Sequence, residues 1–280
     1  MSKKGYKSAE IVATAEGKQY HIGLKPGDVA PNILMCGDPA RAHRVAGYFE
    51  KAGKPITSRE YVTITGIYKG LPMTVMATGM GPDNTEIAFI ELMQIVKNPT
   101  FIRAGSCSSL QKGISIGETV VSSGSVRLEN TSTYFVVEGY PAVAHPEVVM
   151  AMSEAAAAKG FAYHIGLTAA APGFYGAQCR NIPGFPPRFP NLLDDLAKMN
   201  VSNIEMESSC LFTLASMAGV RAGTVCAVYG SRTANKFIDP ATKDEAEKKC
   251  IETGLVAFEV LAMMDRAKGK GRYWTPSLGV

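Results

Sequence analysis

Residues 60–79 read EYVTITGIYKGLPMTVMATG. Two runs rich in Val, Ile, Thr and Tyr are joined through Gly70, the composition and punctuation of neighbouring strands. Such a pair predicts antiparallel neighbours, so the sheet that contains them is mixed rather than purely parallel. Before them, NILMC (Asn32–Cys36) is a short apolar run that ends at Gly37-Asp38-Pro39, and ARAHRVAGYFEKAG then has helical character. After them, Asn84–Val96 places Ile87, Ile90, Glu91 and Met93-Gln94 at helical spacing. Further on, TFIRAGS, GETVVSSGSVRL, HIGLTAAAP, NIEME and AGTVCAVYG read as strands, and Glu147–Lys159 and Asp244–Met264 as helices. This alternation predicts one α/β domain over 1–280, a mixed central sheet flanked by helices, with no internal repeat and no linker. About 1–20 and 265–280 are expected as extended tails. Pro183, Pro186, Pro187 and Pro190 exclude regular structure over Arg180–Asp194, which reads as a long excursion loop.

Bulk properties narrow the function. Hydrophobic residues make up 46% of the 280 and charged ones 19%, enough for a sizeable core. The net charge of +4 rests largely on Lys3, Lys4 and Lys7 and on the tail Arg266, Lys268, Lys270 and Arg272, a pattern of solvated ends rather than of a nucleic-acid face. Six scattered cysteines without a CxxC pair fit free thiols in a reducing compartment. Four histidines show no metal-ligand spacing, so no metal site is expected. The N-terminal stretch lacks the apolar core of a signal peptide, and no apolar run is long enough to span a bilayer. A soluble, cytoplasmic protein is the expectation.

Polar residues just beyond apolar strands are the first candidates for a site, because ligands of open α/β sheets bind there. They are Gly37 with Arg41, Arg103 with Ser106, Glu205-Met206-Glu207, and Ser231-Arg232-Thr233. Two forked guanidiniums beside glycine amides and a hydroxyl suit phosphate or another oxyanion; the plainer reading makes each Arg the partner of an internal carboxylate. No P-loop or dinucleotide fingerprint is present. Glu205 and Glu207 stand where a strand gives way to a helix, and buried carboxylates need partners: a helix cap, cations or hydroxyls. In GFYGAQCRN (Gly173–Asn181), Gln178 and Arg180 would share one side of an extended loop, offering donors and an acceptor to a carbonyl–imide–carbonyl edge. Phe174 and Tyr175 are placed to stack on a flat ring.

GDPAR, RAGS, GFYGAQCR and NIEMES occur in that order, and together they resemble the nucleoside phosphorylase family of the hexameric bacterial type, nearest to its uridine-cleaving members. The likeness runs from about His21 to the end of the closing helix. It implies a partly barrel-like sheet and phosphorolysis of uridine, with deoxyuridine or thymidine as further substrates. No cofactor is implied, and phosphate is a co-substrate. Gly37, Arg41, Arg103 and Ser106 would hold phosphate, with Arg59 joining from a neighbouring subunit. Glu207, Met206 and Glu205 would bind ribose, and His21 would reach the 5′-hydroxyl across a dimer interface. Phe174, Gln178 and Arg180 would take the base, Arg232 would brace Arg180, and Ser108 and Tyr229 would border the pocket.

Several positions depart from the family pattern. Ser108 stands where relatives commonly have Gly, Pro82 replaces a second glycine, and Tyr229-Gly230 replaces an aliphatic pair. Ser231 occupies the position of an acidic group in purine-cleaving relatives. Two alternatives remain: a purine nucleoside phosphorylase, which Gln178 and Arg180 disfavour, and a non-catalytic nucleoside sensor, which would not need the arginine set.

Overall fold

The computed structural model describes residue 6 and residues 8–279, so Lys3, Lys4 and Lys7 lie outside the described residues. Two compact units divide the chain, residues 1–101 and 102–280. In the first, β1 (Asn32–Cys36) runs parallel to β5 (Leu71–Ala77), which forms an antiparallel hairpin with β4 (Tyr61–Tyr68). The sheet is mixed, as the Glu60–Gly79 stretch predicts. The hairpin turns at Lys69 and Gly70, both with positive φ, the conformation that a two-residue turn requires.

α1 (Pro39–Ala46) starts on the Asp38 side chain, which accepts the Ala40 N–H at 2.9 Å. It ends at Ala46, short of the expected stretch through Gly53. The chain leaves it to lay β2 (Lys51–Ala52) against β4 at Gly66, where a Cβ would collide with the Lys51 carbonyl and the Phe49 ring. β3 (Ile56–Ser58) pairs β4 through the two-residue turn Arg59-Glu60. α2 (Pro82–Met93) begins with Pro at its first position, two residues before the expected start, and gives way ahead of Asn98-Pro99.

β6 (Thr100–Ser109) begins at the end of the first unit and belongs chiefly to the second. There it pairs β10 (Val201–Glu205) antiparallel, β10 runs parallel to β9 (Tyr163–Ala170), and β9 parallel to β7 (Thr119–Arg127). β7 pairs β11 (Arg221–Ser231) antiparallel, and β11 returns to β6, closing five strands into a ring. Mixed and partly barrel-like therefore describes this sheet. Short strands β8 (Ala142–Val143) and β12 (Lys236–Phe237) extend β7 and β11.

α3 (Pro146–Ala158) follows β8. α4 (Leu192–Lys198) overlaps the last residues of the expected proline-rich loop, because Leu192, Leu193 and Leu196 pack with Val201 and Ile204. α5 (Ser208–Ala218) follows β10 and ends at Gly219, whose φ of 66° closes the helix in the left-handed region. α6 (Pro240–Lys268) is longer than Asp244–Met264, since Asp239 caps it by accepting the Thr242 N–H at 3.0 Å. It also takes up 265–268 of the expected tail. Beyond it, the Trp274 N–H donates to Glu147 at 2.9 Å, so this tail packs on its own unit. No helix of the described residues is long and apolar enough to cross a membrane. All six cysteines are free, and five are buried.

Candidate active site

Glu205 ends β10 and Glu207 stands at the N-cap position of α5, and both are about 3% exposed. Each has an identifiable partner. Glu205 accepts the N–H groups of Glu207 at 2.9 Å and Ser208 at 3.0 Å, so it satisfies two backbone donors at the α5 N-terminus. Arg103, on β6 and 7% exposed, places Nη1 3.3 Å from Glu205 and donates Nη2 to Glu207. Arg103 is thus the partner of two internal carboxylates. Burial pushes the Glu205 carboxyl up against the opposing Arg103 guanidinium, and Glu207 adds to the rise. Gly105 makes this packing possible: a Cβ there would collide with Arg103 Nη1. Ser106 and Met206 are half-buried beside these groups in sequence.

The stretch Gly173–Arg180 is a run of turns, not an extended loop, and Cys179 has φ 54°. Alternation therefore does not place Gln178 and Arg180 together. Instead the Arg180 N–H bonds the Tyr175 carbonyl at 2.9 Å, folding the loop so that Arg180 Nη1 donates to Gln178 Oε1 at 2.8 Å. Nη1 also donates to the Phe174 carbonyl, and the guanidinium lies 3.5 Å over the Phe174 ring. Arg232 donates to the Cys179 carbonyl at 3.2 Å, next to Arg180 in the chain. Burial, with the like charge of Arg232, pushes Arg180 down to about 10. The Ser108 hydroxyl lies 2.6 Å from where a Cβ on Gly230 would sit. Tyr229 turns its hydroxyl to Glu247 of α6 at 3.0 Å, which is where the structure places this expected pocket residue.

In the first unit, Gly37 and Gly79 close on each other through an N–H to carbonyl bond of 3.0 Å, setting the turns before α1 and α2 side by side. Buried Arg41 stands in the first turn of α1. Helix N-termini and a guanidinium together suit an oxyanion. Arg59 has φ 55°, is exposed, and lies 5.0 Å over the Tyr20 ring, which in turn packs on His21 at 4.8 Å. The two residues expected to serve a neighbouring subunit are therefore held together. Glu91 on α2 accepts the backbone N–H groups of His21 and Ile22 and meets His21 Nδ1 at 2.6 Å. A neutral ring whose Nδ1–H donates to Glu91 has Nε2 as its acceptor.

The sequence profile of the Phosphorylase superfamily matches residues 31–262, taking in the Gly37–Arg41 turn and the Asn203–Ser209 stretch. The chain belongs to the phosphorylase superfamily. Its superfamily relatives include the uridine phosphorylase of Thermococcus kodakarensis, 44% identical over 275 residues and 97% of each chain. The uridine phosphorylase of Escherichia coli is 34% identical over 238 residues, 83% of this chain and 94% of that one. The guanosine phosphorylase of Halorubrum lacusprofundi is 30% identical over 232 residues, 83% and 91% of the two chains. Superfamily members named for a pyrimidine and for a purine nucleoside both align across most of the chain, so the base must be read from the site.

One supporting residue of this superfamily chain, Glu91, is absent from the candidates that the sequence offers. Glu91 is foreseen only as part of a helix, although a carboxylate among apolar positions at helical spacing is a signal of a buried partner. Gly105, one of the glycines noted beside the arginines, stands two residues from Arg103 on the same strand and on the same face of the sheet.

Proposed function

We propose that this chain is a uridine phosphorylase, a pentosyltransferase that reversibly converts uridine and phosphate into uracil and ribose 1-phosphate in cytoplasmic pyrimidine salvage. Deoxyuridine and thymidine are further candidate substrates, and the chain acts as one catalytic domain. The observation that carries the base is the Gln178–Arg180 bond. With Oε1 accepting from Arg180, the amide orientation is set, which leaves Nε2 as the donor end of the amide. The second lone pair of Oε1 suits the imide N–H of uracil, Nε2 one carbonyl and Arg180 the other, with Phe174 lining the base pocket beneath the guanidinium. The Ser231 hydroxyl is engaged in its own turn with the Ala234 N–H at 3.2 Å, and it offers no acid to a purine.

Gly37, Arg41, Arg103 and Ser106, with Arg59 of a neighbouring subunit, hold phosphate against the anomeric carbon in this reading. Orienting two reactants in this way lowers the barrier by several kcal/mol. A phosphate oxygen forms the new bond to that carbon as its bond to the uracil nitrogen breaks, and the electron pair leaves with the base. Gln178 and Arg180 stabilise the charge that develops on the uracil carbonyls, so no separate general acid is required. Glu207 accepts from the ribose 2′- and 3′-hydroxyls, with Met206 and Glu205 beside it, and its charge favours the oxocarbenium-like sugar. His21 Nε2 accepts from the 5′-hydroxyl across a dimer interface. Phosphate is a co-substrate, and no metal or organic cofactor takes part.

Uridine and inosine assayed side by side in phosphate buffer test the base assignment. Uracil release with inosine inert is the expected result. Inosine cleavage at a comparable rate would overturn the roles of Gln178 and Arg180.

A further inference from the structure

Among the buried carboxylates outside these assignments, Glu129 bears on the site. Glu129, just past the end of β7, is 3% exposed. Its Oε2 accepts the Ser132 N–H at 2.9 Å, and its Oε1 accepts the hydroxyls of Ser132 at 2.5 Å and Ser209 at 2.8 Å. Burying an ionised carboxylate is costly unless hydrogen bonds replace its water. The two bonds to Ser132 are local and serve the 3-10 turn Thr131–Tyr134. The third is not: Ser209 is the second residue of α5, eighty positions away in sequence.

That contact falls on the turn that carries Glu207. The Glu207 carbonyl accepts the Leu211 N–H at 3.1 Å, opening α5, while Glu205 holds the N–H groups of Glu207 and Ser208. Two carboxylates thus fix this turn, Glu205 from β10 through the backbone and Glu129 from the end of β7 through the Ser209 hydroxyl. We propose that Glu129 is a positioning residue for Glu207, acting through Ser209 to hold its carboxylate in register with the ribose hydroxyls. The inference rests on the reading of Glu207 as the ribose-binding group.

A merely structural bond would alter stability and affect all substrates alike. A bond that aligns Glu207 acts through the ribose hydroxyls, so uridine and 2′-deoxyuridine separate the two cases. Ser209→Ala removes the long-range bond and leaves both Ser132 bonds in place. Its kcat/KM for uridine should fall about tenfold, since small misplacements of a positioned group are costly, and that for 2′-deoxyuridine by a clearly smaller factor, because only the 3′-hydroxyl and the sugar charge remain for Glu207 to meet. Glu129→Gln should show the same selectivity, and the double variant should lose little more than either alone, as expected of one unit. Equal losses on the two nucleosides, or an unchanged uridine kcat/KM in Ser209→Ala, would overturn the coupling alone. A wild-type enzyme inert toward both would overturn the ribose reading and the coupling with it.

Discussion

Arg103 sets a single positive charge between two buried carboxylates, which leaves the three-residue group with excess negative charge when both are ionised. Such a group is costly as a structural device and well suited to a sugar that becomes cationic during the reaction. Glu207→Gln keeps the volume and removes the charge. Turnover of uridine should fall about a hundredfold, the scale of losing one electrostatic contact to a transition state, with the thermal midpoint little changed. Near-normal turnover would remove Glu207 from the ribose site. The residue types at 103, 205 and 207 and the end of β10 at Glu205 were legible in the sequence, but Arg103 and Ser106, expected beyond a strand, lie inside β6, which runs on to Ser109. Glu129 was not, because ENTSTY reads as an ordinary polar turn until the fold buries it against Ser209.

At the scale of elements, strands were legible where β-branched runs are flanked by glycine, and β1, β4 and β5 lie close to the apolar runs that announce them. The closure of β11 on β6 was not, since it joins segments more than a hundred residues apart and no local pattern encodes it. α4 hid behind four prolines and is recovered only through its leucines. The end of α6 carries a further prediction. Lys268 lies 2.9 Å from Glu147 and 2.8 Å from Asp265, and Arg221 bonds both carboxylates.

Burial alone would raise the Glu147 carboxyl, but the Trp274 N–H, Lys268 and Arg221 outweigh it and hold it below its ordinary value. Asp265 is likewise lowered, burial being outweighed by Arg221 and Lys268. A depressed carboxylate stabilises fully above its unfolded pKa and loses that contribution as pH falls, here below about 4. Emission from Trp274, the single tryptophan, should therefore shift to the red on acidification, and in Glu147→Gln already at neutral pH. Identical emission from wild type and variant at neutral pH would show that Glu147 does not anchor the tail.

For the whole molecule, the sequence announced the α/β class but not the division into two compact units. No composition shift or linker marks residue 101, where the boundary falls inside a strand. His21 and Arg59 belong to the first unit and Glu207 to the second. If the former serve a neighbouring subunit, His21→Ala and Glu207→Ala chains, each inactive alone, should regain up to about a quarter of the wild-type rate when mixed, from sites that draw both intact residues. No recovery in verified mixed oligomers would mean that each chain completes its own site.

The claim that ties these scales together is that phosphate, not water, takes the ribose. Phosphorus NMR of the wild-type enzyme with uridine, with and without inorganic phosphate, tests it most directly. Growth of a ribose 1-phosphate signal in step with uracil, and no uracil without phosphate, is the predicted result. Uracil released at the same rate without phosphate, with free ribose as the product, would contradict it.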